Sequence, residues 1–257
     1  MGQWKGRKFE DVRVHLDRLA QPTSWKKPAK IFVNSMSDLF HEDIHPGHVL
    51  DIFLTMARNP RHIFQVLTKR QRRMLDWFLD LEKPGGGRIT NGFRPDAQPQ
   101  LFDYLKEIGN PWPLKNVWLG VSVENQKAAD ERIPLLLETP AAVRFLSVEP
   151  MLERINLLKL LGDPWGRAVT EGIHWVICGG ESGPKARPFN IEWARDLKDQ
   201  CNQARVPFFM KQMGAKPYWV EETKFTTPYF AELDFKDRKG GDMAEWPEDL
   251  RVREFPR

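Results

Sequence analysis

The stretch KIFVNSMSDLFHED, residues 30–43, opens as a strand, with Ile31, Phe32 and Val33 in a row. Within two residues it turns polar, through Asn34, Ser35, Ser37 and Asp38 to His41, Glu42 and Asp43. The same change recurs along the chain. Six short runs rich in Val, Ile, Phe or Trp stand out: Ile31–Val33, Ile63–Leu67, Val117–Val121, Val143–Val148, Trp175–Cys178 and Pro207–Met210. None alternates strictly between apolar and polar, so each reads as a strand covered on both faces, as in a parallel sheet. DVRVHL, at Asp11–Leu16, does alternate and predicts a weaker edge strand.

Helical spacing separates these runs. Pro46–Arg58 carries Val49, Leu50, Phe53, Leu54 and Ala57 on one face, and Gln71–Leu81 carries Met74, Leu75, Phe78 and Leu79. Gln126–Leu137 and Ile191–Ala204 follow the third and fifth strands, with Asn190 as the expected N-cap of the latter. Strands alternating with helices predict an α/β fold, a partial (β/α) TIM-like barrel with parallel strands and outer helices. The expected organisation is one barrel-like domain over 1–217, interrupted by a Pro- and Gly-rich insertion at about 83–115 with a short helix at Leu101–Ile108. A turn-rich tail over 218–257 follows.

Composition sets the bounds. The 257 residues are 41% hydrophobic and 29% charged, enough for a full core. No run of eighteen apolar residues predicts a membrane span, and the first sixteen residues lack the apolar centre of a secretory signal. Two cysteines, Cys178 and Cys201, are too few for a disulfide framework, so a cytoplasmic location is expected. A net charge of +4 permits an anionic partner without requiring one.

The strand ends carry the candidate chemistry. In parallel α/β sheets, residues just past the strand C-termini converge on one face, where ligands bind. The candidate ligand-binding residues are therefore Asn34, Ser35, Ser37, Asp38, Lys69, Ser122, Glu124, Asn125, Ser147, Glu149, Gly179, Gly180, Glu181, Lys211 and Gln212. Lysines and glutamates facing one cavity suit a zwitterionic or multiply charged small molecule. In GGESG (179–183) the glycines could let backbone approach a ligand, and Glu181 could hold an ammonium group. No Gly-x-Gly-x-x-Gly, Walker A or G-x-S-x-G pattern occurs, and His41, His45 and His48 match no compact zinc motif, so no metal site is expected. Two other readings stay open: an acid–base pair of Glu124 and Glu149, and a nucleic-acid-associated protein suggested by LTKRQRR at Leu67–Arg73 and ten tryptophans.

The segments IFVNSMSDLFHEDI, FQVLTKR, NVWLGVSVENQ, ADERIPLLLETPAAVRFLSVEPML, WVICGGESGPKARP and VPFFMKQMG resemble, in order, the main blocks of the phage gene product 37 / gene product 68 family. The resemblance runs from about Phe9 to Gly214. It implies a barrel of the radical S-adenosylmethionine (SAM) type. An N-terminal three-cysteine segment would bind a [4Fe-4S] cluster whose open iron holds SAM, and cleavage of SAM would yield a radical that abstracts hydrogen from substrate. No three-cysteine motif occurs in this sequence. It begins with MGQWKGRKFEDVRVHL, which corresponds to the part after that segment, so a start upstream of Met1 is the expectation.

Overall fold

The computed structural model describes residues 12–82, 112–158, 172–221 and 229–256, together with 105, 107 and 109. Six strands form one wholly parallel sheet: β1 (Lys30–Val33), β2 (Ile63–Thr68), β3 (Val117–Ser122), β4 (Val143–Val148), β5 (Trp175–Gly179) and β7 (Phe208–Gln212), side by side in that order. The sheet curls into a half-barrel flanked by helices, consistent with a partial TIM-like barrel. Helices α2 (Pro46–Ala57), α3 (Gln71–Glu82), α4 (Gln126–Glu138) and α5 (Ile191–Ala204) follow β1, β2, β3 and the short β6 (Phe189–Asn190). A four-residue helix, α1 (Gln21–Ser24), precedes β1. Their starts are local: Asn125 accepts from the Ala128 N–H at 2.8 Å, and Asn190, as expected, from Glu192 N–H at 3.0 Å. Among the described residues no helix is long and apolar enough to cross a membrane.

Two-residue periodicity divides the sheet's side chains between two apolar clusters. Val117, Leu119, Val121, Leu146, Val148, Val176, Cys178, Phe208 and Met210 pack outward against the helices. Trp118, Phe145, Trp175 and Ile177 point inward, with Ile63, Leu67, Val143 and Phe209 packed on them. Gly120 makes room for this floor, because a Cβ there would stand 2.6 Å from the Phe145 ring.

Three expectations need correction. Residues 12–15 are not a strand, and Leu16–Arg18 form a 3-10 turn, because the alternating side chains of DVRVHL find no neighbouring strand to pair with. Strand β1 is covered on one face only: Ile31 and Val33 meet the outer core, but Phe32 is 42% exposed on the inner side of this edge strand. The stretch after Pro217 is charged but not merely turns. β8 (Pro217–Glu221) runs parallel to β6 and antiparallel to β9 (Tyr229–Glu232) in a second, three-stranded sheet. Beyond it Trp246 and Leu250 are fully buried. The expected insertion at 83–115 and helix at Leu101–Ile108 lie largely outside the described residues.

The last residues act as a strap across the foot of the half-barrel. Met210 N–H donates to Val252 O at 2.8 Å, and the Glu254 N–H and Phe208 O bond at 3.0 Å. The Trp175 indole donates to Glu254 O at 2.8 Å. Phe255 then lies 5.2 Å from the rings of both Trp175 and Phe209, and Lys30 of β1 sits over its ring at 3.2 Å. One aromatic side chain thus touches both edges of the sheet. Phe255→Ala should lower stability by about 1–2 kcal/mol in urea unfolding, through lost aromatic packing and the lysine contact. Phe32→Ala, at an exposed position, should change it by less than about 0.5 kcal/mol.

Candidate functional site at the strand ends

Because all six strands run the same way, the inner side chains beyond the aromatic floor rise toward one rim. On β2 the inward series is Ile63, Gln65, Leu67 and Lys69; on β3, Trp118, Gly120, Ser122 and Glu124; on β4, Val143, Phe145, Ser147 and Glu149. The pattern is an aromatic floor, a polar wall and a charged rim. Ser122 and Ser147 are register partners, 4% and 5% exposed, and their hydroxyls have no hydrogen-bond partner among the described residues.

The rim is built from ion pairs. Lys69 contacts Glu124, whose other oxygen accepts from Arg132 of α4 at 2.9 Å; Arg132 also donates to Ser122 O at 2.8 Å. Burial pushes the Glu124 carboxyl up, but the hydrogen bond and charge of Lys69 and the charge of Arg132 outweigh it and hold it below the ordinary range. Lys211 of β7 reaches Glu149 of β4 at 2.7 Å, across β5. Gly179 eases this crossing, since a Cβ there would stand 3.3 Å from the Glu149 carboxylate. Glu181 takes both a side-chain fork and the backbone N–H of Arg187 (2.7, 3.2 and 3.0 Å), and that guanidinium holds its carboxyl below the ordinary range. The charge of Glu124 also acts on Arg187, which links the β3 and β5 parts of the rim.

Other candidates turn out to be scaffolding. Asp38 accepts from the Thr68 hydroxyl (2.7 Å), from Phe40 and Lys69 N–H (2.9 and 3.0 Å) and from Arg70 (3.2 Å), locking the β1 loop onto the end of β2. Asn34 takes a left-handed conformation (φ 57°) and its carbonyl accepts from Ser37 N–H; Asn34, Ser35 and Ser37 are exposed. Asn125 is spent on capping α4. The glycine pair is required by the protein's own packing. Gly180 is needed because a Cβ would stand 2.3 Å from Met213 O, and Gln212 donates to Gly180 O at 2.9 Å, so this close approach is to the protein's own backbone. The basic run is also engaged: Arg70 binds Asp38 and Glu42, and Arg73 donates to Ile44 O.

Arg132, Arg187, Phe32 and Gln65 belong to this region and were not among the expected residues. Gln65 was discoverable as the one polar residue inside the apolar run IFQVL. Nothing in the sequence separates Arg132 or Arg187 from the other arginines.

Over residues 2–239 the chain matches the model of a family described as protein of unknown function, DUF5131. The chain belongs to that family. No curated protein matches it, and no solved structure does. In this DUF5131 member the chemistry-bearing side chains gather at the rim.

Two properties of the rim define what it can do. Its carboxylates are already largely withdrawn from water beside half-exposed lysines, so a ligand carrying both charges could exchange into existing pairs. It also lies over hydroxyls that lack partners among the described residues. Since Glu124 is held charged by its neighbours, its contribution to stability is present above the ordinary carboxylate range and is lost as pH falls through its lowered folded value. The melting-temperature gap between wild type and Glu124→Gln should therefore shrink between about pH 6 and about pH 3. A gap independent of pH would contradict this account of Glu124.

Proposed function

We propose that the chain is the barrel portion of a radical-SAM-like enzyme that binds SAM, or a ligand of the same charge pattern, at the rim of the half-barrel. The observation that carries this reading is the pair of lysine–glutamate contacts, Lys69–Glu124 and Lys211–Glu149, set over Ser122 and Ser147. The amino-acid end of SAM offers an ammonium to a glutamate and a carboxylate to a lysine. The exchange conserves charge and leaves neither partner buried alone. The resemblance to the phage gene product 37 / gene product 68 family supports the same reading from the segments that carry the rim.

The thiols of this sequence do not fit the cluster that the resemblance implies. Cys178 and Cys201 are both fully buried in the outer core, on the helix side of the sheet, and burial pushes both thiols well away from the thiolate form. Cluster ligands would have to be cysteines other than these two.

The test is calorimetric titration of SAM into the protein. Binding in the micromolar range is expected, weakened at least about tenfold by Glu149→Gln and by Lys211→Met, with both variants folded as judged by circular dichroism. No heat and no rise in melting temperature at millimolar SAM would overturn the proposal. So would affinity indifferent to both substitutions.

A further inference from the structure

The rim accounts for the charged end of a ligand but not for the open flank of the inner face. There β1 and β2 are in parallel register, with Phe32 directly beside Gln65. Phe32 exposes 42% of its surface on the inner side of an edge strand, whereas its register partner is 8% exposed. The Gln65 amide has no hydrogen-bond partner among the described residues. That amide keeps its hydrogen-bonding capacity free for whatever enters the half-barrel, on a side chain otherwise largely buried. Half-exposed Leu67 stands next above it on β2, below the Lys69 of the rim. An aromatic face, an amide fork and an aliphatic side chain thus share one wall of the half-barrel.

We infer that this flank is a nucleobase subsite, with Phe32 stacking on the ring and Gln65 reading its edge. A glutamine amide presents one donor and one acceptor side by side, and a nucleobase edge offers the complementary pair on a rigid plane. An exposed phenyl ring beside that fork supplies the stacking surface such a plane requires. A purely aliphatic ligand would satisfy Phe32 and leave the amide unpaired. A carboxylate or phosphate would be drawn to Lys69 at the rim and would leave the Phe32 ring without a stacking partner. The inference rests on reading the inner face as a ligand site but not on SAM being that ligand.

The two readings separate in one set of titrations with adenosine, guanosine, cytidine, uridine and SAM. At least one nucleoside should bind, and Gln65→Leu should weaken it about tenfold or more while leaving the melting temperature unchanged or slightly raised, because the amide has no protein partner to lose. Phe32→Ala should weaken it similarly and Phe32→Trp should restore it, which a merely structural role for Phe32 would not produce. Should Gln65→Leu fail to fold, the Phe32 pair decides alone. If SAM binds but no nucleoside does, or nucleoside affinity ignores both positions, the subsite is wrong and the rim reading stands. Nucleosides that bind with this sensitivity while SAM does not would leave the subsite standing and remove SAM. Binding of neither would remove both.

Discussion

Parallel hydrogen bonding between six strands is the constraint on which the rest of this structure depends. A parallel ladder sends every strand to the same end, and its two-residue period sends alternate side chains to the same face. Once Trp118, Phe145 and Trp175 are committed to the inner floor, the residues an even number of places further along their strands have no freedom over where they emerge. Ser122 and Ser147 must line the wall, and Glu124 and Glu149 must stand at the rim. A slip of one residue in β3 would bury Glu124 among the helices and turn Val123 toward the cavity. The outer cluster, with Val121 and Val148 fully buried, opposes that slip strongly.

The rim gains its order from pairing rather than from charge alone. Isolated surface ion pairs contribute little, but Glu124 is largely buried and touches two cations, so removing either leaves a poorly solvated charge. Glycines set which pairs can form. Gly179 clears the path between Lys211 and Glu149, while Gly180 lets the β5 loop lie against the backbone at Met213. Two adjacent residues of one type therefore serve two different close approaches, and neither approach is to a ligand. Deeper on the inner face, Gln65, Ser122 and Ser147 have no partner among the described residues, and these leave hydrogen bonds for a ligand to complete.

A half-barrel has two free edges, and the protein manages them differently at its two ends. At the foot, the strap of residues 252–255 bonds to β7 and carries Phe255 to Lys30 of β1, so the aromatic floor is covered where the edges would otherwise gape. Nearer the rim none of the described residues plays that part, and Phe32 is left partly bare. Closure below and openness above is the arrangement a binding site of this shape needs: a rigid base and an accessible mouth.

Much of this was legible in one dimension. Continuous apolar runs such as WVIC marked strands buried on two faces, helical spacing marked what covers them, and their alternation implied the parallel sheet. Lys69, Glu124, Glu149 and Lys211 could be placed at strand ends because that follows from local pattern. Which lysine meets which glutamate could not, because Lys211 and Glu149 are 62 residues apart and meet only across a glycine on an intervening strand. The free flank at Phe32, its register pairing with Gln65 and the packing of Phe255 likewise depend on which strands become neighbours and which edge stays open. Local sequence determined the elements and the chemistry at their tips, since periodicity and capping act over a few residues. Only the tertiary structure decided which tips pair, which polar groups are left without partners and where the barrel stays open, since those are set by contacts between distant segments.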